Sequence, residues 1–174
     1  MRYLEVRRHS KREQTAQSLS REGVALARRV GETAGPFAKV VTSGVVRAVE
    51  TAIAMGYAVD ERIEAIGTMG SDVSAEIHWE ADYAEFAAAV HRGGPLARFA
   101  EFQAGLWSEI IKSVRDGSSV LMITHGGIVQ AGAAGCVPDE DFCKWGPAPS
   151  FCEGLRLAHD GEKFVSAEII RVKA

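Results

Sequence analysis

Short apolar runs that stop abruptly on polar residues recur along this chain, and each is followed by a segment of helical period. The run before Thr124-His125-Gly126-Gly127, VLMI, is too short for a helix of its own, and IVQAGAAG follows it at once. Buried strands of a parallel sheet read this way, because crossover helices cover both of their faces. The same alternation begins at the first residue. Residues 1–9 predict a strand around Tyr3, Leu4 and Val6. Next, LSREGVALARRVGETAG predicts a helix, with Ser20 as N-cap, Val24, Leu26, Ala27 and Val30 near helical spacing, and Gly35-Pro36 as the stop. FAKVVTS predicts a second buried strand, and VVRAVETAIAMG a helix ending at Gly56.

ERIEAIG predicts a third, short strand, and the glycines, serines and acids of residues 67–78 predict a loop. Helical spacing returns over residues 83–90 and 96–114, separated by Gly93-Gly94-Pro95. In the second segment Leu96, Phe99, Phe102, Leu106, Ile110 and Val114 form the expected apolar stripe. GLRLAHDGEKFVSAEIIRV predicts two strands joined around Asp160-Gly161, with His159 at the hairpin tip. The expected architecture is a single domain over residues 1–174, a three-layer α/β/α fold with a mostly parallel sheet and an antiparallel edge.

Composition excludes several function classes. A formal net charge of −3 with 47% hydrophobic and 25% charged residues describes an ordinary globular chain with no general attraction to nucleic acid or acidic lipid. Cys136, Cys143 and Cys152 match neither a disulfide framework nor paired zinc ligands. Arg2, Glu5, Arg7 and Arg8 interrupt any signal-peptide core, and no run of eighteen apolar residues follows. A cytoplasmic protein without metal or cofactor, with no nucleic-acid partner and no membrane span, is the expectation.

Ligands of open α/β sheets gather beyond the carboxyl ends of the strands. Arg8-His9-Ser10 stands at the first such end, Thr42-Ser43 leads from the second to Arg47, and His125-Gly126 stands at the fourth. Two guanidiniums and two imidazoles meeting in one crevice suit a phosphoryl group. Guanidiniums offer forked, permanently charged donors, and a neutral imidazole is a competent nucleophile near pH 7. Side-chain alternation along a strand assigns Arg8 to the ligand and turns Arg7 away, into a salt bridge or solvent.

These segments carry a resemblance. VRRHS is similar to the Arg-His-Gly signature of the histidine phosphatase superfamily, the phosphoglycerate mutase-like proteins, with Ser10 in place of glycine. LSREGVALARRVGE resembles the helix after the signature. VVTSGVVRAVETA resembles the Ser-Pro-x-x-Arg-Ala-x-x-Thr-Ala segment with Gly44 in place of proline, and VLMITHGGIV the second histidine motif. The resemblance implies His9 as a phosphate-accepting nucleophile, Arg8, Arg47 and His125 as the phosphate pocket, and no metal. Ser10, through its hydroxyl, and Gly126 join the expected phosphate-binding set.

A general acid is needed when the leaving group is an unactivated alcohol. Many members carry it as Leu-x-Glu on the third strand, which here falls on Ile63 and Ala65, with Glu64 one residue off and pointing to the opposite face. Among Glu64, Asp72, Glu76 and Glu80, Glu76 ranks first as the catalytic acid, because Ile77 and Trp79 would anchor it near the pocket mouth. Without an acid, the expected substrate has a good leaving group, such as a phosphohistidine nitrogen in the small bacterial phosphohistidine phosphatases that this chain also resembles. The expected function is a metal-independent phosphatase acting on a phosphomonoester or phosphohistidine, with a phosphorylated small molecule or phosphoprotein as partner. A phosphoglycerate mutase-type phosphotransferase and a catalytically silent phosphate-binding module are the alternatives.

Overall fold

A computed structural model describes residues 1–172. Six strands form one sheet: β1 (Arg2–Arg8), β2 (Lys39–Thr42), β3 (Glu61–Arg62), β4 (Ser119–Thr124), β5 (Gly154–His159) and β6 (Phe164–Ile170). Their order across the sheet is β3-β2-β4-β1-β5-β6. The first four pair in parallel, whereas β5 and β6 form the antiparallel edge. Among the described residues, six α-helices complete the fold: α1 (Arg21–Gly31), α2 (Val46–Ala54), α3 (Ser71–Ser74), α4 (Tyr83–His91), α5 (Pro95–Lys112) and α6 (Gly126–Cys136). None of the described helices is long and apolar enough to cross a membrane.

The alternation of the strands divides the core between the two faces of the sheet. Leu4 and Val6 of β1 join Val120, Met122, Leu155 and Leu157 beneath α4, α5 and α6. Val40 of β2 and Leu121 and Ile123 of β4 pack on the opposite face against Ala27, Val30, Ala48 and Ala52 of α1 and α2. On that second face β1 presents Glu5 and Arg7. They form a buried ion pair 2.6 Å long, and Arg7 Nη1 also donates to the Cys152 carbonyl at 2.6 Å. Glu5 and Arg7 are tolerated on this buried strand because each neutralises the other.

Local signals placed several boundaries. The Ser20 side chain accepts from Gly23 N, capping α1, and Gly56 takes the positive φ of 94° that ends the α2 segment. The helix α1 stops at Gly31, short of Gly35-Pro36. β3 has only two residues, and residues 64–66 turn into a 3₁₀ helix, so Glu64 is not on a strand as expected. The loop of residues 67–78 contains the short α3.

Two sequence expectations fail on packing. Phe102 is 54% exposed, while the buried face of α5 runs Leu96, Ala100, Gln103, Trp107, Ile110 and Ile111. Gln103 can be buried because Trp107 Nε1 donates to its Oε1 at 3.0 Å and its own Nε2 donates to the Ala65 carbonyl at 2.8 Å. His159 is fully buried, not at a tip: its Nδ1 accepts from Gly161 N, and its Nε2 lies 3.2 Å from Ser108 Oγ. Asp160-Gly161 nevertheless forms the turn, with Asp160 accepting from Glu162 N and Lys163 N. Trp145 packs on Tyr83 and Phe142.

Candidate active site

Because β4 lies between β2 and β1, the carboxyl ends of these three parallel strands are neighbours. In register, Arg8 stands beside Thr124 and Thr42 beside Ile123, so Arg8-His9, Ser43 and His125 emerge together. The cavity above them has a volume of about 540 Å³, and its wall includes Arg8, His9, Arg12, Arg47, His125 and Gly126. Trp79 and Phe151 form an aromatic side, with the Arg8 guanidinium 4.7 Å from the Phe151 ring centre and 5.9 Å from that of Trp79.

His9 is held in one tautomer. Its Nδ1 lies 2.7 Å from the Ser10 carbonyl, which only accepts, so the proton is on Nδ1 and the lone pair on Nε2. That lone pair faces the cavity and accepts from Arg47 Nε at 2.9 Å. Burial pushes the His9 pKa down to about 3, a backbone bond to Ser10 opposing, and His125, Arg47 and Arg8 lower it further. The ring is therefore neutral near pH 7 and able to attack.

One guanidinium spans both imidazoles. Arg47 Nη2 lies 3.1 Å from His125 Nδ1, and Arg47 Nη1 bonds to Gln17. With its Nδ1 accepting, His125 directs its Nε2 proton to Ser43 Oγ at 2.9 Å. Burial lowers its pKa to about 4, helped by Arg47 and Arg8. Arg47 itself sits in the first turn of α2, so the helix carries it to the cavity edge.

Arg8 donates from Nη1 to the Pro149 carbonyl at 2.9 Å, while its buried Nε has no partner among the described residues. Gly126, Gly127 and Ile128 bring the N-terminus of α6 to the cavity, and no side chain caps that end. Unclaimed backbone N–H groups there attract anions. The whole wall is thus cationic or neutral, with no Asp or Glu among its residues.

Of the expected phosphate ligands, the fold brings Arg8, Arg47, His125 and Gly126 together around His9 and leaves Ser10 out. Ser10 is fully buried, with Oγ donating to the Gly23 carbonyl at 2.7 Å and N donating to Thr51 Oγ1 at 2.9 Å. It pins the loop that follows His9 onto α1 and α2, and Gly23, where a Cβ would meet the Lys11 carbonyl, permits that approach.

Glu76 is also displaced from its expected role. Its Oε2 accepts from Leu96 N at 2.7 Å at the start of α5, outside the cavity. Gly94, the N-cap, has no side chain to offer and Pro95 has no N–H, so a remote carboxylate does the capping. Asp72, Glu64 and Glu80 do not line the cavity either. Glu64 instead lies against Gly44, in space that a Cβ at position 44 would fill. Sequence reasoning missed Arg12, Ser43 and Phe151 as site residues. Arg12 follows His9 by three positions and Ser43 directly follows a strand, signals that the sequence offers, whereas Phe151 reaches the cavity through a loop with no local mark.

No family model and no curated protein matches the chain. Solved structures match it along nearly its whole length. A phosphoserine phosphatase from Entamoeba histolytica, solved with 3-phosphoglyceric acid, superimposes with a TM-score of 0.71 at 17% identity, over 99% of this chain and 98% of that one. A mycobacterial glucosyl-3-phosphoglycerate phosphatase gives 0.69 at 20% identity over the full length of both chains. A phosphoglycerate mutase from Bacillus anthracis gives 0.69 at 15% identity, over 97% and 92%. The resemblance read from the motifs is thereby borne out at the level of fold: the chain has the three-layer, phosphoglycerate mutase-like α/β architecture.

Proposed function

We propose that this chain is a phosphatase of the histidine phosphatase superfamily, working through a covalent phosphohistidine at His9. The observation that carries the reading is the His9 tautomer, with its Nε2 lone pair aimed into a carboxylate-free cavity between Arg8, Arg47 and His125. Nε2 attacks phosphorus, a P–N bond forms, and the bond to the leaving group breaks with its electron pair. The guanidiniums and the α6 N-terminus hold the non-bridging oxygens as charge redistributes. Water then displaces phosphate from Nε2, returning the lone pair to the ring.

The lack of a carboxylate in the wall favours leaving groups that depart without a proton donor, an aryl oxide or the nitrogen of a phosphohistidine. It also favours hydrolysis over a mutase cycle, in which an acid–base group must serve an alcohol in both directions. A silent binding module would need the charge but not the oriented lone pair. The phosphatase and mutase names of the structural neighbours agree with phosphoryl chemistry. Three unpaired cysteines support a reducing compartment such as the cytoplasm.

The test is quenching of the purified protein in alkaline detergent during turnover of 4-nitrophenyl phosphate in the presence of chelator, followed by acid treatment of part of each sample. An acid-labile phosphoenzyme that is absent in His9→Ala is expected. Undiminished turnover by His9→Ala would refute covalent catalysis at this residue.

A further inference from the structure

Arg8 and Arg47 suffice for the phosphoryl dianion, yet a third guanidinium faces the same cavity. Arg12 belongs to a tight excursion between β1 and α1, closed by the Arg12–Leu19 bridge and the bonds Glu13 N to Ser18 O and Ser20 N to Lys11 O, both 2.9 Å. The excursion is tied down where Leu19 N donates to Glu50 Oε2 at 2.6 Å. Within it, Arg12 Nη1 donates to the carbonyls of Glu13, Gln14 and Ala16 at 3.3, 3.4 and 3.3 Å. Only Nη1 is engaged: Nε and Nη2 make no hydrogen bond among the described residues. The side chain is anchored by one nitrogen and keeps its other donors for something else.

Charge accounting points the same way. Among the described residues, Arg8, Arg12 and Arg47 form no ion pair, whereas the neighbouring Lys11 is paired with Glu22 and Arg7 with Glu5. Burial lowers the Arg47 pKa first, and the proximity of Arg12 and then Arg8 adds to it, so the cations repel one another across the empty cavity. A phosphoryl group close to its dianion neutralises two of the three. One positive charge then remains inside a wall that offers no carboxylate.

We propose that Arg12 forms a second anion subsite, which binds a carboxylate or phosphate carried by the leaving group of the substrate. The proposal rests on the phosphatase reading for the position of the transferred phosphoryl group. The substrate class is then a doubly anionic phosphate compound, whose leaving group lies between Arg12 and the aromatic side made by Trp79 and Phe151.

Three probes of similar leaving-group chemistry test this: phenyl phosphate, 3-carboxyphenyl phosphate and benzene-1,3-diyl bisphosphate, assayed by phosphate release. One charge-assisted contact predicts a kcat/KM on the order of tenfold to a hundredfold higher for a doubly anionic probe. Which of the two is preferred identifies the second anion as carboxylate or phosphate. In Arg12→Gln that preference collapses toward unity, and Arg12→Lys restores part of it. Equal rates for all three probes in the wild type, or an equal loss for all three in Arg12→Gln, would overturn the subsite and leave the phosphatase reading standing. Calorimetric binding of phenylphosphonate and 3-carboxyphenylphosphonate separates the converse case. A carboxylate preference that depends on Arg12, in a protein that hydrolyses none of the probes, would sustain the subsite and refute the phosphatase. Binding without preference would overturn it.

Discussion

Replacing Glu76 by alanine separates two roles that a single carboxylate can play. In the structure its Oε2 accepts from Leu96 N at 2.7 Å, the first free N–H of an 18-residue helix whose N-cap is glycine and whose first residue is proline. Loss of such a cap costs about 1–2 kcal/mol, the negative charge at a helix N-terminus being part of that figure. For a chain of this size each kcal/mol moves the melting temperature by roughly 2–4 °C, so Glu76→Ala should melt roughly 2–8 °C lower. Glu76→Gln, which keeps an acceptor, should lose less. Scanning calorimetry measures the shift, and the ratio of alkyl to aryl phosphate turnover is measured on the same preparations. That ratio should not change. An unaltered melting temperature together with a hundredfold fall confined to alkyl phosphates would refute the capping assignment and restore Glu76 as the acid.

Further outcomes follow from the same geometry. Arg47→Lys keeps the charge but cannot bridge His9 and His125, which lie 2.9 and 3.1 Å from two different guanidinium nitrogens. Its kcat should fall on the order of 10²–10³-fold in single-turnover assays, as when a preorganised donor is lost, and a fall under threefold would refute the bridging role. His9, with its pKa lowered to about 3 from 6.5, binds protons more weakly folded than unfolded. Its contribution to stability is therefore complete above about pH 6.5 and is lost as pH falls toward 3, about 2 kcal/mol of it between pH 7 and pH 5. Urea unfolding at the two values should show this loss in the wild type and a smaller one in His9→Asn. Equal pH slopes for both proteins would contradict the buried neutral ring.

What could be read in the sequence was local or periodic. Ser20 marks a helix start because its own side chain closes the first turn, and Asp160-Gly161 marks a turn for a similarly short-range reason. Strand ends at Arg8, Thr42 and Thr124 were legible from the places where apolar runs stop. Gln103 and Phe102 were not, since which face of α5 is buried depends on whether a distant carbonyl, that of Ala65, can satisfy the buried amide.

The site divides along the same line. The sequence by itself marked Arg8 and His9 at a strand end as candidate site residues and separated Arg8 from Arg7, because strand alternation follows from backbone geometry alone. Only the tertiary structure decided which further groups face the ligand. It turned Ser10 toward Gly23 and Thr51, sent Glu76 to cap α5, and brought Arg12 to the cavity occupied by Arg47. Those outcomes depend on hydrogen-bond partners far away in the chain and on unpaired charges meeting across space, which no short stretch of sequence encodes.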